Sequence, residues 1–120
     1  MLYTGSLQKK ITDLSNRSYN KALECCYEDR ITEAVMELKA SLEFDKKNID
    51  ARNLLGLCYF RLGRAADALI QWTISYKLKR TDNMAVDYIA ELESSRESAA
   101  MYEAIEQYNE ALSYANQGNT

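Results

Sequence analysis

An internal repeat limits the folds open to this chain more than any other feature. Displaced by 34 residues against itself, the sequence sets Ala22 on Gly56, Leu23 on Leu57, Cys25 on Tyr59, Ala34 on Ala68, Leu38 on Trp72 and Ser41 on Ser75. The small residues Ala22, Ala34 and Ser41 keep the spacing of Gly56, Ala68 and Ser75. Self-similarity at such a period marks a chain that stacks one supersecondary unit, because a single unit cannot bury its own apolar face. The unit is helical: proline is absent, glycine occurs four times in 120 residues, and Ala, Leu, Glu, Lys, Gln and Arg are abundant. The expected fold class is all-α.

The stretch "ARNLLGLCYFRLGRAADALIQW" (51–72) carries a glycine inside an otherwise good helix. Gly56 costs that helix roughly 1 kcal/mol relative to alanine, so tertiary packing must offset it. Close helix approach is the expected source, with small residues at Ala22, Ala34, Gly56 and Ala68. Larger side chains there would hold the axes beyond the usual ~8–10 Å. Local signals fit this frame. Asp29 can cap the second helix. Asn48 precedes an apolar stripe at positions 49, 54, 55, 58, 59 and 62, and Gly63 supplies a left-handed stop. Lys77, Lys79 and Arg80 favour the end of a fourth helix; Thr81 or Asp82 then caps the next.

These residues resemble the tetratricopeptide repeat family, whose unit is a helix–turn–helix. Its Leu-Gly-x2-Tyr and Ala-x3-Phe pattern is found here as Leu55-Gly56-x2-Tyr59 and Ala68-x3-Trp72, and more weakly as Ala22 with Cys25 and Ala34-x3-Leu38. The family's early Trp is replaced by Ser18 and Arg52, and its closing Pro by Lys46 and Arg80. The resemblance implies a right-handed α-solenoid in a single domain over 1–120, with the helices of each hairpin antiparallel and meeting at Ala22 against Ala34 and at Gly56 against Ala68. An N-terminal helix extension (1–14) precedes repeats at 15–48 and 49–82, and residues 83–117 follow. It also implies groove-facing places at Asn16, Tyr19, Leu23, Cys26 and Tyr27, then Asp50, Asn53, Leu57, Phe60 and Arg61. From these, Tyr19, Leu23, Cys26, Tyr27, Asn53, Leu57, Phe60 and Arg61 form the candidate peptide- or protein-binding groove. Tyr19, Leu57 and Phe60 would give apolar contact, Asn53 would bond a peptide backbone, and Arg61 would meet a carboxylate. Tyr19 and Leu23 stand where chaperone-tail binders of the family carry a Lys/Asn clamp, so that subset is not expected. The competing expectation is that Leu23, Cys26, Leu57 and Phe60 pack against neighbouring helices or a second chain.

Beyond residue 82 two expectations stand. In one, 83–117 is a single long helix of roughly 50 Å, whose "YNEALSYANQGN" (108–119) echoes "YNKALECCYEDR" (19–30). In the other, a turn at Ser94–Ser98 makes a degenerate third hairpin, with Ser94 and Glu97 as a capping box. The long helix carries Met101, Ile105, Tyr108 and Leu112 as an apolar stripe, which predicts self-association as a homodimer or docking of downstream repeats. Residues 83–120 hold seven acidic side chains and one basic, a balance of −6 within a total of −3.

Composition also argues against whole classes of function. There is no histidine to act as a base, no Gly-rich phosphate loop and no cluster with metal-ligand spacing. An enzyme, a metal and a cofactor are therefore not expected. An acidic chain without a basic cluster argues against nucleic acid, and no apolar run approaches the ~20 residues of a membrane span. With no signal-peptide pattern, a cytoplasmic location is expected. Cys25, Cys26 and Cys58 read as small buried apolar residues, with a redox role for the adjacent Cys25–Cys26 pair as the alternative. The resulting expectation is a non-catalytic scaffold that binds a protein or peptide in a groove. The alternative is a purely structural N-terminal segment of a longer array.

Overall fold

The computed structural model describes residues 2–95 together with 103, 107, 110 and 111. Among the described residues the secondary structure is helical without strands, in accord with the all-α expectation. The helices are α1 (Leu2–Tyr27), α2 (Ile31–Phe44), α3 (Ile49–Arg61) and α4 (Ala65–Leu78). A fifth, α5, starts at residue 85 and is described to residue 95. The chain falls into two compact units, Met1–Ile89 and Ala90–Thr120. α1 runs unbroken from Leu2 to Tyr27, through the boundary at residues 14 and 15. No described helix is long and apolar enough to cross a membrane.

Short connections make consecutive helices antiparallel neighbours, and α1 packs on α2, α2 on α3, and α3 on α4. The turns inside the two hairpins are the same motif in different residues. Arg30 N–H donates to Cys25 O (2.8 Å) and Asp29 N–H to Cys26 O (3.0 Å); Arg64 N–H donates to Tyr59 O (2.8 Å) and Gly63 N–H to Phe60 O (3.0 Å). Both are Schellman closures around a left-handed residue, Asp29 at φ 60° and Gly63 at φ 77°. Gly63 thus stops its helix as expected. Asp29 does not cap α2: it ends α1, and α2 starts from Arg30 without a side-chain cap. Aspartate tolerates the left-handed region because its short polar side chain costs little there. Arg30 and Arg64 each pair with a carboxylate three residues on, Glu33 and Asp67.

The core contains Ala22, Ala34 and Leu38 in the first hairpin and Leu55, Ala68 and Trp72 in the second, each at most 2% exposed. Gly56 is buried among them, and what it makes room for is larger than a methyl group. A Cβ built on Gly56 would stand 2.5 and 2.6 Å from Cδ1 and Cε2 of Trp72, and its nearest neighbours are all indole atoms. The compensation for the glycine is therefore the indole rather than Ala68. Trp72 lies flush on the α3 backbone and its Nε1–H donates to Asn53 O at 3.2 Å. The first hairpin answers the same positions with Ala22 and Leu38: a methyl on one helix and a smaller side chain on the other.

A second set of contacts ties each hairpin to the helix that follows. Ser15, Ser41 and Ser75 are fully buried. Ser15 Oγ donates to Ser41 O and Ser41 Oγ to Ser15 O, each at 2.8 Å. Asn48, the N-cap of α3, accepts from Ala51 N–H (3.1 Å) and donates to Ser15 Oγ (2.9 Å). After α4 the same office falls to Asn83, which donates to Lys79 O (2.9 Å) and Ser75 Oγ (3.0 Å) and accepts from Ala85 N–H (3.0 Å). The cap expected at Thr81 or Asp82 is displaced by one residue. Asp82 takes a left-handed φ of 51° in the turn, which leaves Asn83 to reach back to the serine.

Of the two expectations for 83–117, the helical state of Ser94 and Ser95 carries α5 into the segment where the turn was the alternative. Residues 96–98, and with them the rest of that choice, lie outside the described residues. So do Met101, Ile105, Tyr108 and Leu112.

The indole contact can be tested by a double-mutant cycle. Gly56→Ala should lose about 2 kcal/mol in urea unfolding, because overpacking exceeds the gain in helix propensity. Adding Trp72→Leu, which recreates the Ala22–Leu38 solution, should recover part of that loss through a coupling of about 1–2 kcal/mol. Strictly additive single losses would refute the contact.

Candidate functional site

Two adjoining hollows lie on the face built by α1 and α3. One is lined by Tyr19 of α1, by Asp50, Asn53, Leu54 and Leu57 of α3, by Met84 just before α5 and by Tyr88 in its first turn. The other is lined by Cys26, Ile31, Leu54, Leu57, Cys58 and Arg61. Leu54 and Leu57, one helical turn apart, are common to both. They form an aliphatic strip whose two ends differ in chemistry. Leu57 is 37% exposed, so the strip is open to solvent.

At one end Asn53 is held from two directions. Its carbonyl accepts the Trp72 indole, and its Nδ2 donates to Asn83 Oδ1 at 2.9 Å. Asn83 is itself oriented by its donation to the Ser75 and Lys79 carbonyls. The remaining atom, Asn53 Oδ1, is buried and has no hydrogen-bond partner. A buried acceptor without a donor costs about 1–3 kcal/mol; among the described residues this is the buried side-chain oxygen or nitrogen left without a partner, so that cost falls at the hollow. Tyr19 beside it has its phenol pKa raised above the ordinary value, by burial first and then by the charge of Asp50 and the neighbouring Cys26, Tyr27 and Tyr88. At the other end Arg61 donates to Asp29 at 2.7 Å. Both members of that pair are well exposed, so its contribution is small and a ligand carboxylate can compete for the guanidinium.

Of the eight candidate groove residues, Tyr19, Asn53 and Leu57 come together in the first hollow and Cys26, Leu57 and Arg61 in the second. Leu23 is half-buried and lines neither. Tyr27 stands 88% exposed at the end of α1. Phe60 turns toward α4, with its ring centroid 6.3 Å from that of Trp72, and lines neither hollow. The sequence reading missed Leu54 and Tyr88. Their signal was present: they lie 34 residues apart, the same place in successive repeats. Met84, Ile31 and Cys58 carried no comparable mark.

Among the described residues no group of three or more Cys, Asp or Glu side chains stands close enough to hold a metal ion. Neither a family model nor a curated protein sequence matches this chain.

The raised phenol of Tyr19 has a direct consequence. Because folding favours its neutral form, its contribution to stability is complete below the unfolded value and lost as pH rises through the folded one. Alkaline unfolding of Tyr19→Phe should therefore show a shallower fall in stability above pH ~10 than the parent. Identical pH profiles would show that Tyr19 feels no such burial.

Proposed function

We propose that the chain is a tetratricopeptide-type helical-repeat module that holds a segment of another protein against the α1–α3 face, without catalysis. The observation that carries this reading is the open strip of Leu54 and Leu57, set between two polar ends of opposite preference. A segment with a central aliphatic or aromatic anchor fits the strip. Its basic side chain would lie toward Asp50, and its acidic side chain or carboxyl group toward Arg61. Peptide-binding sites are built this way, with an apolar anchor supplying most of the energy and a few placed polar groups fixing direction. Asn53 borders the strip with a carboxamide already held by Asn83. The internal repeat, the shared turn motif and the serine–asparagine ties all support the repeat-scaffold half of the proposal.

The groove is testable with a displayed peptide library and the full chain. Bound peptides should share an apolar anchor flanked by opposite charges. Leu57→Asp should weaken binding at least tenfold, the loss expected when a buried leucine anchor worth ~1.5–3 kcal/mol is removed, with the helical circular dichroism unchanged. Met36→Asp, at a 67% exposed position of α2, should bind as the parent does. A library that yields no binder, or equal affinity for both variants, would overturn the proposal.

A further inference from the structure

Cys26 Sγ and Cys58 Sγ lie 3.6 Å apart, although 32 residues separate them in sequence. The first belongs to α1 and the second to α3, so the pair bridges the two hairpins. Adjacent Cys25 is not part of it: Cys25 is buried at 6% exposure, while Cys26 is only half-buried and lines the second hollow with Cys58. All three are free thiols.

We propose that Cys26 and Cys58 are an oxidation site, closing to a reversible disulfide that staples the two hairpins beneath the Leu54–Leu57 strip. The sulfur atoms must approach by about 1.5 Å to reach bonding distance, a movement on the scale of side-chain rotation. With a low-molecular-mass disulfide as oxidant, Cys26 thiolate attacks one oxidant sulfur. The oxidant's S–S bond breaks, one thiolate leaves, and a mixed disulfide remains on Cys26. Cys58 then gives up its proton and attacks Cys26 Sγ, expelling the second thiolate. Two protein thiols are oxidised by two electrons, the oxidant is reduced to two thiols, and the two protons end on them. The order of attack follows from exposure. Burial and the neighbouring Cys26 push the Cys58 thiol up to about 12, so the better exposed Cys26 meets the oxidant and Cys58 follows only once the mixed disulfide is held against it. Closure ties Cys26 to Cys58 in the wall of the hollow that Arg61 borders. Its effect on a ligand rests on the peptide-binding reading above; the cross-link itself does not.

The full chain equilibrated with oxidised glutathione and mapped by mass spectrometry without reduction should show an intramolecular Cys26–Cys58 link, with loss of two hydrogen atoms. Cys25 should remain alkylatable after unfolding. The melting temperature should rise by on the order of 10 °C and return on reduction. The rise should be absent in Cys26→Ser and Cys58→Ala and kept in Cys25→Ala. Glutathione left on Cys26, a link that includes Cys25, or disulfides only between molecules would overturn the site. A peptide selected against the reduced groove should bind the oxidised parent at least fivefold more weakly, with no such change in Cys26→Ser. A mapped cross-link with unchanged affinity would overturn the regulatory effect and leave the groove standing.

Discussion

The second hairpin depends on one contact, the indole of Trp72 laid on the bare backbone at Gly56. An aromatic side chain of that size brings the largest apolar surface available to a small core. Its single polar atom must also find a partner when buried. Gly56 answers both needs. With no Cβ, α3 exposes a flat stretch of backbone that the ring covers, and the ring can approach until Nε1–H reaches the Asn53 carbonyl. From that seat the indole meets Phe60 on one side and Tyr88 on the other, with centroids 6.3 and 5.3 Å away. One side chain of α4 thereby joins α3 to the beginning of α5. The roughly 1 kcal/mol that glycine costs a helix is small beside this burial.

The first hairpin reaches the same geometry with different chemistry, which explains what could be read from the sequence. The positions of the small residues were legible because close helix contact demands them wherever two backbones approach. The identity of the partner was not. A glycine one turn from a helix crossing admits either a nearer backbone or a larger side chain, and only the assembled core decides between Ala68 and Trp72. Asp29 was misread for a related reason. Aspartate favours both helix N-caps and the left-handed conformation, and the choice turns on whether the preceding helix needs closing. The step from Asp82 to Asn83 hid in a connection of six residues (79–84) where its predecessor has four (45–48), a difference the 34-residue spacing does not show. Leu54 and Tyr88 were visible through the repeat. They were passed over because the family's groove places exclude their register.

Polar contacts set the register of the stack. Ser41 and Ser75 are deeply buried and would be costly if left unpaired. Each accepts from an asparagine at the head of the next helix, Ser41 from Asn48, which also donates to its partner Ser15, and Ser75 from Asn83. A hydrophobic face can slide by a helical turn with modest loss. A hydroxyl bonded to a capping amide cannot, because the slip would strand both groups in the core. The apolar residues thus supply the free energy of association, and the serine–asparagine ties select one alignment from the several that would bury similar area.

These two systems meet in α3, which turns some residues to the core and others to the hollows. Residues 53–58 serve both faces in turn. Leu55, Gly56 and Cys58 are buried in the core, while Leu54 and Leu57 form the floor of the hollows. Asn53 belongs to both: its carbonyl receives the indole and its carboxamide borders the hollow while bonding Asn83. A helix in that position cannot shift on one face without moving the other. The absence of a side chain at Gly56 therefore determines more than packing density. It sets the depth at which α3 lies against α4, and with it the height of the Leu54–Leu57 strip and the direction in which the unpartnered oxygen of Asn53 is held.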